Sequence, residues 1–485
     1  MREKSGNKPS ILSNFTYNLI YQIVRMILPL VTMPYVNRVL GAENLGIFNY
    51  TNSVAIYFAM AAYLGFENYG NRLIAQNKHD PEKLNRCFSG AYTFQLISSL
   101  LSIAAYAVYI IFFCRENQTV AWAQMLFVSS EIINISWLYF GLEKFKMTTL
   151  INIVVRVTAF ISILIFVRKK SDLVIYTIIC SLTIFVSALL LWVGVGKYVK
   201  FTRVTLKEVW EYGKGSLVLF FPVLVVNVYR TMDKIMLGNS ASMTEVALYS
   251  NADKIVEVPY GVITALGVVM IPRMTSMVAT GQKEKSMKYI ELSMRLMMFL
   301  ACAMCFGMMG IGKVFAPVFF GEEFTASGVL IMVIAPMVIV RACANVVRTQ
   351  YLLPNNRDKD YIISIVGGVI VNLLLNSLLI PVWRSTGAAI ATLCAESFVA
   401  LYQIVVSRRD IPVARYTFRN WFFLFAGGIM FVPVYLIGEH FETGVSTLII
   451  QIACGAAVYM VIGGGYMYMK EKELICGFLG KFGKR

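Results

Sequence analysis

The sequence predicts an all-α integral membrane protein of about fourteen transmembrane helices. They are expected as two parallel six-helix lobes around a central cleft, followed by two C-terminal helices. Three observations lead there. The 485 residues are 58% hydrophobic and 15% charged, with a mean hydropathy of +0.66, whereas soluble globular chains hold roughly 45–50% apolar and about 25% charged residues. Apolar stretches of about 20 residues, the length that crosses a hydrocarbon core, recur along the whole chain. A short motif also returns six spans after its first appearance. The composition alone excludes a soluble enzyme, a disordered chain and a fibrous protein.

The predicted helices are bounded by polar punctuation. The first, roughly 11–35, follows Met1 to Ser10, expected as a cytoplasmic tail because no small-residue cleavage site follows it. The second, roughly 45–66, begins beyond Arg38 to Asn44 and ends at Gly65-Phe-Glu-Asn68. The third and fourth, about 88–113 and 118–140, are parted by Arg115-Glu-Asn117. The fifth and sixth, about 148–167 and 172–196, are parted only by Arg168-Lys169-Lys170. The seventh and eighth, about 213–237 and 245–272, flank Gly238. The ninth and tenth, about 286–310 and 324–346, are separated by Gly321-Glu-Glu323. The eleventh and twelfth, about 361–381 and 387–407, meet at Arg384-Ser-Thr386. The thirteenth and fourteenth, about 418–438 and 444–468, flank Glu439 to Thr443. The expected division is an N-terminal lobe over 1–200, a C-terminal lobe over 201–410, and a C-terminal pair with a basic tail over 411–485.

Lys and Arg fix the expected orientation, because cytoplasmic loops carry an excess of them. With the N-terminus inside, thirty of the 44 lie in the tails and inner loops. Seven lie in outer loops: Arg38, Arg115, Arg168, Lys169, Lys170, Lys313 and Arg384. Both termini are therefore expected in the cytoplasm, and the +17 net charge reflects topology and anionic lipid, not nucleic-acid binding. The triplet at 168–170 runs against this bias and marks the fifth and sixth helices as the weakest part of the map.

The repeat lies at equivalent turns. Arg38-Val-Leu-Gly41, followed by Ile47-Phe-Asn-Tyr50-Thr-Asn52, is matched by Lys234-Ile-Met-Leu-Gly238, followed by Val246-Ala-Leu-Tyr249-Ser-Asn251. The same order of residues six spans later, in the same orientation, is what two parallel lobes related by an axis along the membrane normal produce.

Three stretches carry a family resemblance: Arg38 to Phe48 with its Arg-x-Leu-Gly-x-Glu-x-x-Gly-x-Phe pattern, Gly65-Phe-Glu-Asn-Tyr-Gly-Asn-Arg72, and Asp233-Lys-Ile-Met-Leu-Gly238. The chain resembles the bacterial polysaccharide-biosynthesis membrane proteins, the Wzx-type flippases of O-antigen and capsule repeat units, which are related to MATE exporters. The resemblance implies a transporter of the bacterial inner membrane that is not an enzyme. Its partner would be a polyprenyl-diphosphate-linked oligosaccharide, moved from the cytoplasmic to the outer leaflet by alternating access. Membrane lipids, a coupling ion such as Na⁺ or a proton, and polysaccharide assembly proteins are further implied partners.

Charged groups within spans cost about 2.5–3.5 kcal/mol on insertion scales, so they mark partners or pathways. The basic ones are Arg25, Arg156, Arg230, Lys234, Lys254, Arg295 and Arg341, and the acids are Glu131, Asp233, Asp253, Glu257 and Glu396. Asn14, Asn18, Tyr21, Arg25 and Thr32 fall on one stripe of the first helix, and Asn227, Arg230 and Lys234 repeat the design on the seventh. Guanidinium groups fork onto phosphate oxygens and stay ionised, so Arg25, Arg156, Arg230, Lys234 and Arg341 are the candidate diphosphate ligands. The alternative for each is pairing with an acid on a neighbouring helix. Arg341, with Asn345 and Arg348 on its stripe, could also snorkel toward the cytoplasmic end. Arg295, one turn after Glu291, reads as a local ion pair. Asp253 and Glu257, one turn apart, are candidates for ion or proton coupling, with a closed triad through Lys254 as the competing reading. Glu131 with Asn134, and Glu396 with Gln403, are isolated candidates. Most aromatics, including Trp137 and Tyr139 near the end of the fourth helix, are assigned to interfacial belts. Pro29, Pro222, Pro259, Pro272, Pro336 and Gly367-Gly368 are candidate hinges.

Other chemistry finds little support. Cys302 and Cys305 have CxxC spacing but sit in an apolar run, and His79 and His440 lie far apart, so neither a metal nor a cofactor is expected. Gly213-Lys-Gly-Ser216 lacks the leading glycine of a nucleotide-binding loop. A membrane glycosyltransferase would need a larger outer loop or a surface acidic motif. A MATE-like drug or cation antiporter would favour an acidic interior, and this one is net basic. That antiporter is the main competitor among transporters, and a lipid II flippase is a further alternative, since its cargo also carries a polyprenyl diphosphate.

Overall fold

In a bilayer every backbone amide and carbonyl must find its partner within the protein, and helices do this within a single segment. The computed structural model describes residues 11–471, with side chains from residue 27 onward, and among these there is no β-strand. In order, the helices are α1 (Ile11–Tyr63), α2 (Phe66–Asn77), α3 (Pro81–Phe112), α4 (Gln118–Ile133), α5 (Ser136–Gly141), α6 (Phe145–Phe166), α7 (Leu173–Leu190), α8 (Leu206–Ser240) and α9 (Met243–Ala279). They continue with α10 (Lys283–Phe320), α11 (Thr325–Ile334), α12 (Met337–Val347), α13 (Asp358–Ser407), α14 (Val413–Arg419), α15 (Phe422–His440), α16 (Val445–Tyr459) and α17 (Gly465–Lys470). Among the described residues nine helices are long and apolar enough to cross a membrane, or ten with the bent pair α11–α12 taken as one. All fourteen expected intervals fall on helix, because α1 and α13 each carry two of them across a sharp break. The fifth and sixth, the weakest part of the map, are α6 and α7 within a few residues.

The breaks have local causes. Gly41 has φ 78° and ψ 174°, a region that only glycine occupies without strain, so the Arg38 motif carries the break between the two helical segments of α1. Close by, Asn44 donates to the Lys170 carbonyl at 2.8 Å, which puts the basic triplet beside that break. Pro336 separates α11 from α12 with a bend of 43°. Arg384 breaks α13 with φ 49° and ψ −128°, and the next residue's backbone N–H is caught by Glu245 at 3.3 Å. Pro29, Pro222, Pro259 and Pro272 instead lie inside helix away from these breaks, as does Gly367-Gly368.

The chain divides into two compact units, Met1–Ile235 and Met236–Arg485. In the first, α1 packs on α3, α4 and α6, α4 on α7, and α2 on α3 and α5. In the second, α10 is the central post against α11, α12, α15 and α16, and α9 and α13 pack on α11 and α12. Lipid tails are as apolar as leucine, so contacts here are selected by packing and hydrogen bonding more than by hydrophobic transfer. The first unit shows this in an aromatic core of Phe66, Phe88, Trp137 and Tyr139. Trp137 and Tyr139, expected in an interfacial belt, are fully buried instead. The reason is their hydrogen-bonding ends: Trp137 Nε1 donates to Gln95 Oε1 at 2.8 Å and the Tyr139 hydroxyl to the Leu191 carbonyl. Gly70 of the Gly65–Arg72 stretch lies against that indole, where an added Cβ would sit 2.7 Å from Trp137 Cδ2.

Candidate functional site

The first unit contains a polar cavity of about 480 Å³ bounded by α2, α5, α6 and α7. It exists because the span made of α4 and α5 is broken at Asn134-Ile135, and a broken helix exposes carbonyls that something must satisfy. Gln95, fully buried on α3, donates to the carbonyls of Glu131 (2.6 Å) and Asn134 (2.9 Å). Trp192 Nε1 donates to the Ile133 carbonyl at 2.8 Å. With those groups satisfied, the break holds its shape. Asn134 Nδ2 then donates to Glu131 Oε2 at 2.8 Å, its Oδ1 accepts the Ser136 N–H, and Ser136 meets the Tyr63 hydroxyl.

Arg156 enters this cavity from α6, eleven residues after Phe145, so roughly 16 Å along the helix at about 1.5 Å per residue. Its Nε is buried without a hydrogen-bond partner. Around it stand Glu67, Asn68 and Asn71 of α2 and Asn152 of α6. Asn152 Nδ2 is spent on the Thr148 carbonyl at 2.8 Å, whereas its oxygen remains an acceptor. At the same end, Lys78 Nζ meets Glu143 Oε1 at 2.6 Å, tying the end of α2 to the turn before α6. That hydrogen bond holds the Glu143 carboxyl below its ordinary range. Asp80 accepts from the backbone of Lys83 and Glu82 at 3.1 Å each, which lowers its carboxyl likewise and caps α3.

The second unit holds a buried ion cluster. Arg341 of α12 reaches Glu396 of α13 at 2.7 Å and also Glu257 of α9, and it lies over the Tyr260 ring with 4.9 Å to the centroid. Arg341 and Glu396 are both nearly buried, at 9% and 8% exposure. Of the readings open for Arg341, the structure shows pairing with acids from neighbouring helices, and burial replaces the snorkelling geometry. Glu257 is thereby engaged across helices by an arginine. Arg348 lies 5.6 Å from the Tyr361 ring centroid, and Gln403 donates to Ser364 at 3.0 Å, not to Glu396. Both polar atoms of Asn345 are buried without a partner.

The remaining candidates are dispersed. The side chains of Asn14, Asn18 and Arg25 lie outside the described residues. Asn227 donates back to the Val223 carbonyl at 2.9 Å, Arg230 is exposed on α8, and Lys234 is half-buried one turn later. Asp253, half-buried on α9, has an interaction of its own. Arg295 pairs with Glu291 at 3.4 Å, as its spacing predicts, and also with Glu471. Cys302 and Cys305 are buried packing residues of α10. Sequence reasoning missed Gln95, Asn68 and Asn71. The available signal was an amide within a predicted span, and two amides directly after another.

The family described as polysaccharide biosynthesis protein matches residues 11–278, more than half of the chain. A protein of Escherichia coli strain K12 named "Putative O-antigen transporter" is 24% identical over 409 residues, covering 83% of this chain and 98% of that one. Among solved structures, a lipid II flippase MurJ in an inward closed conformation aligns with a TM-score of 0.78 at 13% identity, over 95% of this chain and 100% of that one. An inward-facing MATE-family multidrug transporter aligns with a TM-score of 0.61 at 12% identity, over 83% and 98%. At such identities the structural likeness is one of fold.

Proposed function

The chain belongs to the polysaccharide biosynthesis protein family, and from that premise we propose that it is a flippase for lipid-linked oligosaccharide repeat units. It is a multi-pass membrane transporter, not an enzyme, and it moves a polyprenyl-diphosphate-linked glycan between leaflets by alternating access. The observation that carries this reading is the O-antigen transporter relative matched along 98% of its length. The fold shared with a lipid II flippase supports it. The charge inventory of the spans supports an anionic cargo, since basic residues outnumber acids within them.

The Lys and Arg distribution supports an inner-membrane protein with both termini in the cytoplasm, so that α2 and the mouth of the polar cavity face the side where the cargo is made. Arg25, Arg230 and Lys234, all on the first unit, are our diphosphate ligands. The Arg341–Glu257–Glu396 cluster is our positioning element, and Asp253 and Glu257 remain the acids we assign to ion or proton coupling. Lipid II is the second reading, favoured by a Bacillus subtilis relative named lipid II flippase MurJ, 25% identical over 227 residues, 43% of this chain and 41% of that one.

Deleting the gene in its own host tests the proposal. Lipid-linked oligosaccharide is expected to accumulate on the cytoplasmic face, protected from glycosidases added outside intact cells. Unchanged lipid-linked intermediates would contradict it, and accumulation of lipid II in their place would support the second reading.

A further inference from the structure

We propose that the polar cavity of the first unit is the sugar subsite, and that it takes the neutral polyhydroxyl part of the cargo in preference to the diphosphate. The inference rests on the flippase reading and adds which part of the cargo meets which residues.

Charge comes first. The lining brings one guanidinium, Arg156, and one carboxylate, Glu67. A diphosphate needs an excess of cationic donors, and a carboxylate on the same wall repels it. A sugar hydroxyl both donates and accepts, so it suits a wall that offers a cation, an anion and amides together. Asn68 and Asn71 supply such amides from α2, and Asn152 adds an acceptor.

The second observation is an unspent donor. Arg156 Nε is buried with no partner in the protein, and a buried polar group left unsatisfied is costly. No protein group holds the guanidinium at that atom, so a small rotation of the side chain would turn it to a ligand oxygen in the cavity. The third is an apolar face. Phe140 and Phe145, both lining the cavity, lie near-parallel with centroids 5.7 Å apart. Together they give the cavity an apolar patch against which the C–H side of a sugar can pack while its hydroxyls meet the amides.

Size limits what enters. About 480 Å³ lies within the roughly 300–1,000 Å³ of small-molecule sites, which admits a few sugar rings and not a long glycan. The cavity would therefore read one end of the repeat unit, and Arg156 would draw that end toward the middle of the membrane.

The test uses the full chain in lipid nanodiscs and two probes: undecaprenyl-diphosphate oligosaccharides extracted from the producing bacterium, and bare undecaprenyl diphosphate. Arg156→Gln is expected to weaken binding of the sugar-bearing lipid about tenfold, and Asn68→Ala about threefold. Both variants should bind the bare lipid within about twofold of wild type. Asn68 is exposed at the rim, so its variant keeps the test open if Arg156→Gln fails to fold. An equal loss for both lipids would make the cavity a diphosphate site and overturn the proposal. Unchanged binding of both lipids by both variants would overturn it as well. Wild type binding neither lipid better than a plain phospholipid would bring down the flippase reading, and this proposal with it.

Discussion

Arg341 is the residue whose surroundings most constrain its role. A guanidinium held by two carboxylates within a membrane protein is stabilising only as a complete set, because each charge left alone keeps its desolvation penalty. Arg341→Ala is expected to destabilise the protein by about 3–5 kcal/mol, seen as a lower melting temperature in detergent and less inserted protein. Glu257→Gln should cost less. The Glu257 side chain is 36% exposed, and Glu396, at 10%, stays on Arg341. Equal losses for the two variants would show that the cluster is not organised around Arg341. This pairing was hidden in the sequence because its partners lie 55 and 84 positions away. Spacing along one helix reveals only neighbours such as Glu291 and Arg295, which it placed correctly.

At the scale of elements, the breaks matter more than the helices. Gly41 has a backbone conformation that a side chain makes strained by about 1–3 kcal/mol. Gly41→Ala is therefore expected to lower thermal stability by about that amount and to reduce transport, while Gly428→Ala, in the continuous helix α15 with nothing within 4 Å of an added Cβ, should leave both unchanged. The motif around Gly41 was legible as a motif, yet its meaning as a helix break needed the dihedral angles. Arg384 makes a comparable break with no glycine to announce it. The cap of α3 gives a pH prediction. The Asp80 carboxyl lies below its ordinary value of 3.8 because the Lys83 and Glu82 amides donate to it. Its contribution is present above pH 3.8 and is lost as pH falls through the lower folded value. The protection factor of the Lys83 amide, taken against its intrinsic exchange rate at each pH, should fall in that acid window, and Asp80→Asn should flatten the dependence.

Over the whole molecule, the membrane made the fold legible. A bilayer admits few architectures, so hydropathy alone placed every span on helix, including the doubtful pair that became α6 and α7. The site was legible in part. Arg156 stood out as a cation within a predicted span. Asn68 and Asn71 did not, because they sit just past a predicted span and read as a loop. Trp137 was misread because interfacial and buried tryptophans look alike until the Gln95 acceptor on α3 is in view.

The central claim is that this chain moves a lipid-linked glycan, and reconstitution tests it most directly. Purified protein in liposomes carrying undecaprenyl-diphosphate oligosaccharide should bring the glycan to the opposite leaflet, where an added glycosidase cleaves it, and Arg25→Ala protein inserted to the same level should not. Liposomes in which the glycan stays protected, while the same protein exports a cationic dye, would contradict the account and make the chain a drug exporter on the same fold.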